Sequence, residues 1–499
     1  MLIEPLRPQR GRPVALIVPS WRGVRVITVD GEQSAAGPKN CYRLLASLEG
    51  HVCYVSRDLR GLIHTTGATA WVADVWRGRA TTMNLLGTRT TVTSLRRSLP
   101  DVEPSEQFQY LLEVLGILAD QGVRAGSLSS MAWRLWRSTL EEPFEVGFDA
   151  KVARRAFFGG RKESSRPQSY RNQVAVDISS AYPHSMVARP YGGLLREVNR
   201  ATAIDPQVAG LASVHVVVPE SLRFAPLAVR LGPAMIQWRW GEIDGIYTWG
   251  EIAAAREVGA EVTVQRSWAP LTEVQPFDEW WSLMRIMRAT VTPGAAAMVK
   301  ALTNLVWSHF AMTGDDSATI TWADDLGDRV TTASNPRRPM PQANTVHWAA
   351  ETASRVRVRM LLEGLYGDVE PPVHIDTDGV ICSMSSYRRR KTGEGAGEWR
   401  LKTTMETVEI RAPQLYRYTC GDRCGTDHSK YHYVASGTPA RYAADLFTSK
   451  HPGFQISMHG LDTVIPSGRE LGAEQVTRYR EADERLRRIV YGPPLEVMT

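Results

Sequence analysis

The hydrophobic pattern changes period several times along the chain. VALIV at 14–18 and VRVITV at 24–29 are short runs rich in β-branched residues, and AWVADVW at 70–76 has the same character, so each predicts a strand. QFQYLLEVLGILADQG at 107–122 and SSMAWRLWRSTL at 129–140 switch to helical spacing. Strands followed by helices predict a compact α/β domain ending near residue 145. The segment AFFGGRKESSRPQS at 156–169, basic and carrying two glycines, reads as a linker.

The pattern then restarts. QVAVDISSAYPHSM at 173–186 is a buried strand running into a turn, and LASVHVVVP at 211–219 is another strand. FDEWWSLMRIMRAT at 277–290 and AAAMVKALTNLVWSHFAM at 295–312 are helical on either side of Thr292-Pro293-Gly294, an αα-hairpin. Residues 313–345 are polar and turn-rich, and 348–367 is a helix. PPVHIDTDGVICSM at 371–384 predicts a β-hairpin turning at Asp376-Thr377-Asp378-Gly379. QLYRYTC at 414–420 and KYHYVAS at 430–436 predict a later hairpin, and 437–499 reads as mostly helical.

Composition narrows the class. The chain has 499 residues, 43% hydrophobic and 22% charged, which excludes disordered and fibrous proteins and predicts several domains. No apolar run has the roughly 18 residues of a membrane span, and the basic start, broken by Pro19, is not read as a signal peptide. Five cysteines suit a reducing cytoplasm and exclude a disulfide scaffold. The net charge of +6 permits a nucleic-acid partner without requiring one. Only 8 of the 59 basic residues are lysine, and Lys300 is the only one between Glu163 and Arg390, which singles it out.

Strand alternation puts His374, Asp376 and Asp378 on one face and Val373, Ile375 and Thr377 on the other. Two carboxylates on one face beside a turn repel unless a cation lies between them, although aspartate is also common in ordinary turns. Asp177 ends the VAVD strand and offers a third carboxylate; such hard oxygen donors suit Mg²⁺. Lys300, Asn304, Trp307 and Ser308 share a helical face, with Arg288 across the Pro-Gly break. A cationic face opposite an acidic metal site is what a nucleoside triphosphate needs.

In order and spacing, DISSAYP (177–183), K-x3-N (300–304) and DTD (376–378) resemble the three signature motifs of family B DNA polymerases, in particular the protein-primed enzymes of phages and linear plasmids. FFGG at 157–160 resembles their segment between nuclease and polymerase modules. TSLRRSLP at 93–100 resembles their single-strand-contacting Ser-Leu motif, with Ser94 and Leu95. GIYTWGEIAAAREVGAEV at 245–262 resembles the palm segment before the fingers, and IRAPQLYRY at 410–418 the segment that grips primer–template.

The resemblance implies a multidomain α/β and α+β protein, a right-hand polymerase with an N-terminal RNase H-like exonuclease-type domain. The divisions expected are 1–150 exonuclease-like, 151–270 first part of the palm, 271–315 fingers, 316–410 second part of the palm, and 411–499 thumb. It implies two Mg²⁺ ions, replaceable by Mn²⁺, held by Asp177, Asp378 and the Ile178 carbonyl, with Asp376 close by. Arg288 and Lys300 would bind triphosphate, Asn304 would support the nascent pair, and Tyr182 would be the steric gate against a ribose 2′-OH. Gly159, Gly160, Ser94, Leu95, Tyr416 and Arg411 would meet DNA. Expected partners are primer–template DNA, dNTPs and a terminal protein primer, in the cytoplasm and away from membranes.

The chain also departs from the family. Trp307-Ser308 stands for Tyr-Gly, Gly379 for a common serine, and Gln414 for a lysine, a lost phosphate contact for which Arg411 or Arg417 would compensate. Asp30 and Glu32 fit the first nuclease motif, but Asp58 is a weak second and Tyr110 is followed by Glu113 where the third wants an aspartate four residues on. A degenerate nuclease domain is expected. Cys420, Cys424, His428 and His432 have zinc-compatible spacing, yet two of them face each other across the later hairpin, so a loop with two free thiols is the favoured reading. The rival readings are a metal-dependent nuclease acting through Asp30 and Glu32, and a non-catalytic DNA-binding protein with a decayed polymerase fold.

Overall fold

The structure is a computed structural model. It describes residues 2–3, 13–19, 23–48, 51–56, 91–95, 98–100, 102–126, 128–199, 204–231, 236–311, 315–324, 327–336, 345–368, 370–388, 390, 392–420, 431–435, 447, 455–458 and 461–464. The predicted strand at 70–76, Asp58, Cys424 and His428 lie outside the described residues. The chain forms two compact units, Met1–Val146 with Gln275–Met312, and Gly147–Val274 with Thr313–Thr499. Among the described residues no helix is long and apolar enough to cross a membrane.

The first unit contains a five-stranded sheet in the order Gly31–Ala36, Gly23–Thr28, Val14–Pro19, Val52–Val55, Thr91–Ser94. The first three pair antiparallel and the last two join in parallel. Ala15, Ile17, Val24, Val26 and Val55 form its core with Cys41 and Leu45 of the helix Pro38–Ala46. The two predicted helices are Pro104–Asp120 and Leu128–Ser138, the first opened by a proline whose missing N–H costs nothing in a first turn.

The αα-hairpin, Asp278–Thr290 and Pro293–His309, packs with these helices rather than forming a third body. Trp136 Nε1 donates to the Pro276 carbonyl at 2.7 Å, and Trp133 stacks on His309 at 4.6 Å. The hairpin turn is held by Glu113, whose carboxylate accepts from the Thr292 N–H at 2.8 Å and its hydroxyl at 2.6 Å. A Cβ on Gly294 would lie 2.2 Å from the Tyr110 ring, so the turn approaches the 104–120 helix as only glycine allows.

His309 is buried; its Nδ1 meets Ser129 Oγ at 3.1 Å while Nε2 has no partner among the described residues. Burial lowers it to about 4. The unfolded chain therefore takes up a proton between there and the ordinary histidine range that the fold refuses. Stability is full above about pH 6.5 and falls as pH drops toward 4, by up to about 3 kcal/mol. His309→Leu is expected to flatten this acid dependence in thermal unfolding stepped through that window; an unchanged slope would place the effect elsewhere.

In the second unit, a four-stranded sheet runs Leu195–Val198, Glu261–Pro270, Leu211–Val218, Gly241–Thr248, all antiparallel. Val214, Val216 and Val218 alternate inward against Trp249, Ile252 and Ala255 of the helix Trp249–Glu257. Thr248 and Glu251 cap that helix reciprocally, and Glu251 also accepts from the buried Arg357 at 2.9 Å.

A seven-stranded antiparallel sheet follows the order His432–Ala435, Leu415–Cys420, Trp399–Ala412, Gln168–Ile178, Gly379–Ser383, His374–Thr377, Arg161–Ser164. The described strands at 415–420 and 432–435, in the stretch expected as thumb, thus extend this sheet. Val174, Val176, Ile178, Ile375 and Val380 share one core with Val356, Met360, Leu361 and Leu365. The last four come from Val346–Arg359 and the π-turn Met360–Leu365 that continues it.

The polar stretch 313–345 contains a long hairpin, Asp315–Asp324 with Gly327–Pro336. It is extended by Leu461–Val464 and Gln455–Met458, so these described parts of 437–499 are strands and not helix. Their β-branched residues outweigh the helical composition around them.

Candidate active site

Three strands bring the acidic residues together. Asp177 lies near the end of its strand, where Gly379 is its cross-strand neighbour on one side and Arg400 on the other. Asp376 pairs with Gly379 and with Lys162. Between them, Thr377 and Asp378 form the hairpin turn, closed by the Asp378 N–H on the Asp376 carbonyl at 2.8 Å. The Ile178 N–H donates to the Asp378 carbonyl at 2.9 Å, which ties the turn to the Asp177 strand. Because Val174, Val176 and Ile178 face the core, alternation turns Asp177 to the other face of the sheet.

The turn is strained. Thr377 has φ of 65°, a left-handed conformation that a β-branched residue adopts at a cost of roughly 1–3 kcal/mol. Simple alternation therefore fails at Thr377, and Asp378 is aimed by the turn. Gly160 makes this possible, since a Cβ there would lie 2.6 Å from Thr377 Cγ2. Gly159 has open space around its missing Cβ, and its carbonyl accepts from Arg357 Nη1 at 3.1 Å beside the Phe158 carbonyl at 2.6 Å. The paired glycines, expected at DNA, have a structural task here: one admits the acidic turn and the other is anchored beneath it.

The charges are arranged around Asp177. Lys402 Nζ lies 2.7 Å from its Oδ2 and Arg400 Nε 3.3 Å from its Oδ1. Burial pushes Asp378 up to about 6; Lys402 opposes this, and Asp177 and Asp376 add to it. Asp376 accepts from Gln414 Nε2 at 2.7 Å, and Gln414 Oε1 accepts from Lys162 Nζ at 3.2 Å. Gln414 is buried in a left-handed conformation, φ 58°. Sequence reasoning missed Lys402, Arg400 and Lys162. A signal existed, since two of the eight lysines flank the acidic motifs, but only strand register shows which carboxylate they meet.

As it stands, no group of three His, Cys, Asp or Glu side chains among the described residues is close enough to hold a metal ion. The donor chemistry nevertheless suits a hard divalent cation: three mutually repelling carboxylates, one of them hard to ionise, share one end of a sheet. Tyr182 follows Ser180, whose φ of 50° turns the chain into the helix Ala181–Val187. Burial, followed by the charge of Asp378, raises its phenol well above the ordinary range, which puts the hydroxyl within reach of the acidic centre's field.

Arg288, Lys300 and Asn304 are exposed in the first unit, with Leu302 and Val306 on the buried side of the same helix. They form the solvent-facing cationic stripe that the helical spacing predicts. Arg411 and Arg417 both pair with Glu409, at 3.0 and 2.5 Å. Tyr416 packs against the buried His374 ring at 5.0 Å.

The nuclease candidates are placed otherwise. Asp30 and Glu32 are exposed on the hairpin joining Gly23–Thr28 to Gly31–Ala36, and Glu32 pairs with Arg25 at 3.3 Å. Tyr110 and Glu113 hold the Thr292–Gly294 turn. Leu95, expected at single-stranded DNA, is a fully buried core residue beside Ser94, the last residue of its strand. Cys420 is disulfide-bonded, which corrects the reading of it as a free thiol; His432 Nε2 lies 3.3 Å from its sulfur.

No protein-family model and no curated protein matches the chain. Solved structures do. Phi29 DNA polymerase in a ternary complex with primer–template DNA and incoming nucleotide substrates has a TM-score of 0.63 at 11% identity, covering 93% of this chain and 100% of that one. The orthorhombic form of phi29 DNA polymerase has a TM-score of 0.61 at 10% identity, covering 92% and 100%. The complex with single-stranded DNA has a TM-score of 0.58 at 11% identity, again over 92% and 100%. Likeness at this identity concerns architecture, and the chain accordingly has a mixed α/β multidomain fold similar to that of phi29 DNA polymerase.

Proposed function

We propose that this protein is a template-directed DNA polymerase. The observation that carries the reading is the convergence of Asp177, Asp376 and Asp378 at one end of the central sheet, around a strained turn, within a polymerase fold. Asp177, Asp378 and the Ile178 carbonyl would hold two Mg²⁺ or Mn²⁺ ions, which when bound neutralise charge on the attacking and leaving oxygens. Asp376, fixed by Gln414, keeps the turn in register. Arg288 and Lys300 bind the triphosphate, Asn304 supports the nascent pair, and Tyr182 closes the space a 2′-OH would need. Lys162 supplies, behind Gln414, the cation that position 414 lacks. The partners in this reading are primer–template DNA and deoxynucleotides, and the setting is the cytoplasm.

The N-terminal unit is proposed to lack proofreading. Hydrolysis needs carboxylates that fix two ions, and a displacement of roughly 1 Å costs about a hundredfold. Asp30 and Glu32 stand exposed on a hairpin, while Glu113 is engaged with Thr292. The test is incubation of labelled primer–template with dNTPs and Mg²⁺. Template-directed extension without shortening of single-stranded or mismatched primers is expected. Binding alone would favour a decayed fold. Shortening abolished by Asp30→Ala/Glu32→Ala would favour the nuclease.

A further inference from the structure

Lys402 is the extra residue of a β-bulge. Across the strand pair, Arg400 faces Asp177 and Leu401 faces Val176, but the next partner, Ala175, faces Thr403. Lys402 is thus left out of the ladder, and a bulge re-aims the side chain it releases. In a regular strand, residues 400 and 402 would stand on the face of Asp177 but two positions apart along it. The bulge instead lets both reach one carboxylate, Arg400 on Oδ1 and Lys402 on Oδ2. Asp177 is buried with its side chain 8% exposed, whereas Lys402 is 52% exposed, so the ammonium reaches the acidic centre from the solvent side on a flexible stem.

We propose that Lys402 is a tethered cation of the acidic centre: it neutralises Asp177 and its neighbours in the metal-free protein and withdraws to solvent when divalent ions bind. The inference rests on the polymerase reading of these carboxylates and adds a device to it. An ammonium 2.7 Å from a carboxylate oxygen occupies space and charge that a divalent ion needs. Metal binding must therefore displace it, which lowers apparent metal affinity and spares the empty site the repulsion of three clustered carboxylates. Arg400 stays beside Asp177 through its backbone pairing and makes the effect of losing Lys402 partial. A lysine suits this better than an arginine, since its single point charge leaves without breaking a bidentate contact.

The experiment titrates Mn²⁺ into the whole protein, without DNA or nucleotide, and reads free Mn²⁺ by electron paramagnetic resonance. Thermal unfolding in EDTA is measured in parallel. Lys402→Met is expected to bind Mn²⁺ about tenfold more tightly and to melt at a lower temperature in EDTA, with Mn²⁺ restoring the loss. Lys402→Arg keeps the charge and is expected to bind within about twofold of the unmodified protein. Unchanged or weaker Mn²⁺ binding by Lys402→Met, with binding to the unmodified protein intact, overturns the role of Lys402 alone. If the unmodified protein shows no Mn²⁺ binding that Asp177→Asn abolishes, the metal-centre reading falls, and this inference with it.

Discussion

Asp177→Asn and Asp378→Asn are each expected to lower primer extension by at least about three decades, the loss of some 4 kcal/mol of transition-state stabilisation. Both side chains lose an anionic oxygen where charge must be balanced, and the neighbouring Asp376 is already engaged by Gln414 Nε2. Two further measurements separate chemistry from folding. Binding of primer–template is expected to stay within a few-fold, because DNA affinity comes mainly from phosphate contacts by cations that neither change removes. The melting temperature of Asp378→Asn is expected not to fall, since burial and the neighbouring carboxylates already disfavour ionisation of Asp378. Asp177→Asn removes the partner of Arg400 and Lys402, which are partly exposed, so a modest stability loss is expected there. Extension at near the unmodified rate by either variant would end the polymerase proposal.

Tyr182→Ala is expected to admit ribonucleotides, reducing discrimination against them by about one to two decades in kcat/KM ratio. That is the size of the 1–3 kcal/mol penalty for forcing an extra group into packed space. Tyr182 is half-buried at the edge of the core formed by Val174, Val176 and Ile178, so its ring is held in place rather than free to swing aside. Tyr182→Phe separates ring from hydroxyl: it keeps the steric wall and is expected to keep most of the discrimination. The hydroxyl stays protonated in the field of Asp378, so it has no charge to contribute. Equal use of ribo- and deoxynucleotides by the unmodified protein would remove Tyr182 from this role.

Motif residues were legible because their chemistry is local. The alternation around Asp177 and from His374 to Asp376, and the helical stripe of Lys300 and Asn304, follow from periodicities of two and 3.6 that need no tertiary information, whereas the left-handed turn at Thr377 breaks the alternation before Asp378. Helices 104–120, 128–138, 278–290 and 293–309 lie within a few residues of their predicted spans for the same reason. The hairpin at 315–336 was not legible as strands in the residues themselves, whose polar, turn-rich composition reads as loop; only the family resemblance allowed a hairpin there.

What the sequence alone determined is therefore the identity of the acids, the cationic helix and the resemblance that joins them. What only the tertiary structure decided is which neighbours those groups have. Lys402 meets Asp177 through a bulge that no composition announces, and Gln414 holds Asp376 from a turn 38 residues away. Gly160 is a glycine because Thr377 needs the space. Glu113, one position from a nuclease pattern, caps a turn 179 residues distant. Each of these depends on strand register or helix packing between segments far apart in the chain, and such long-range contacts leave no periodic trace in the residues that make them.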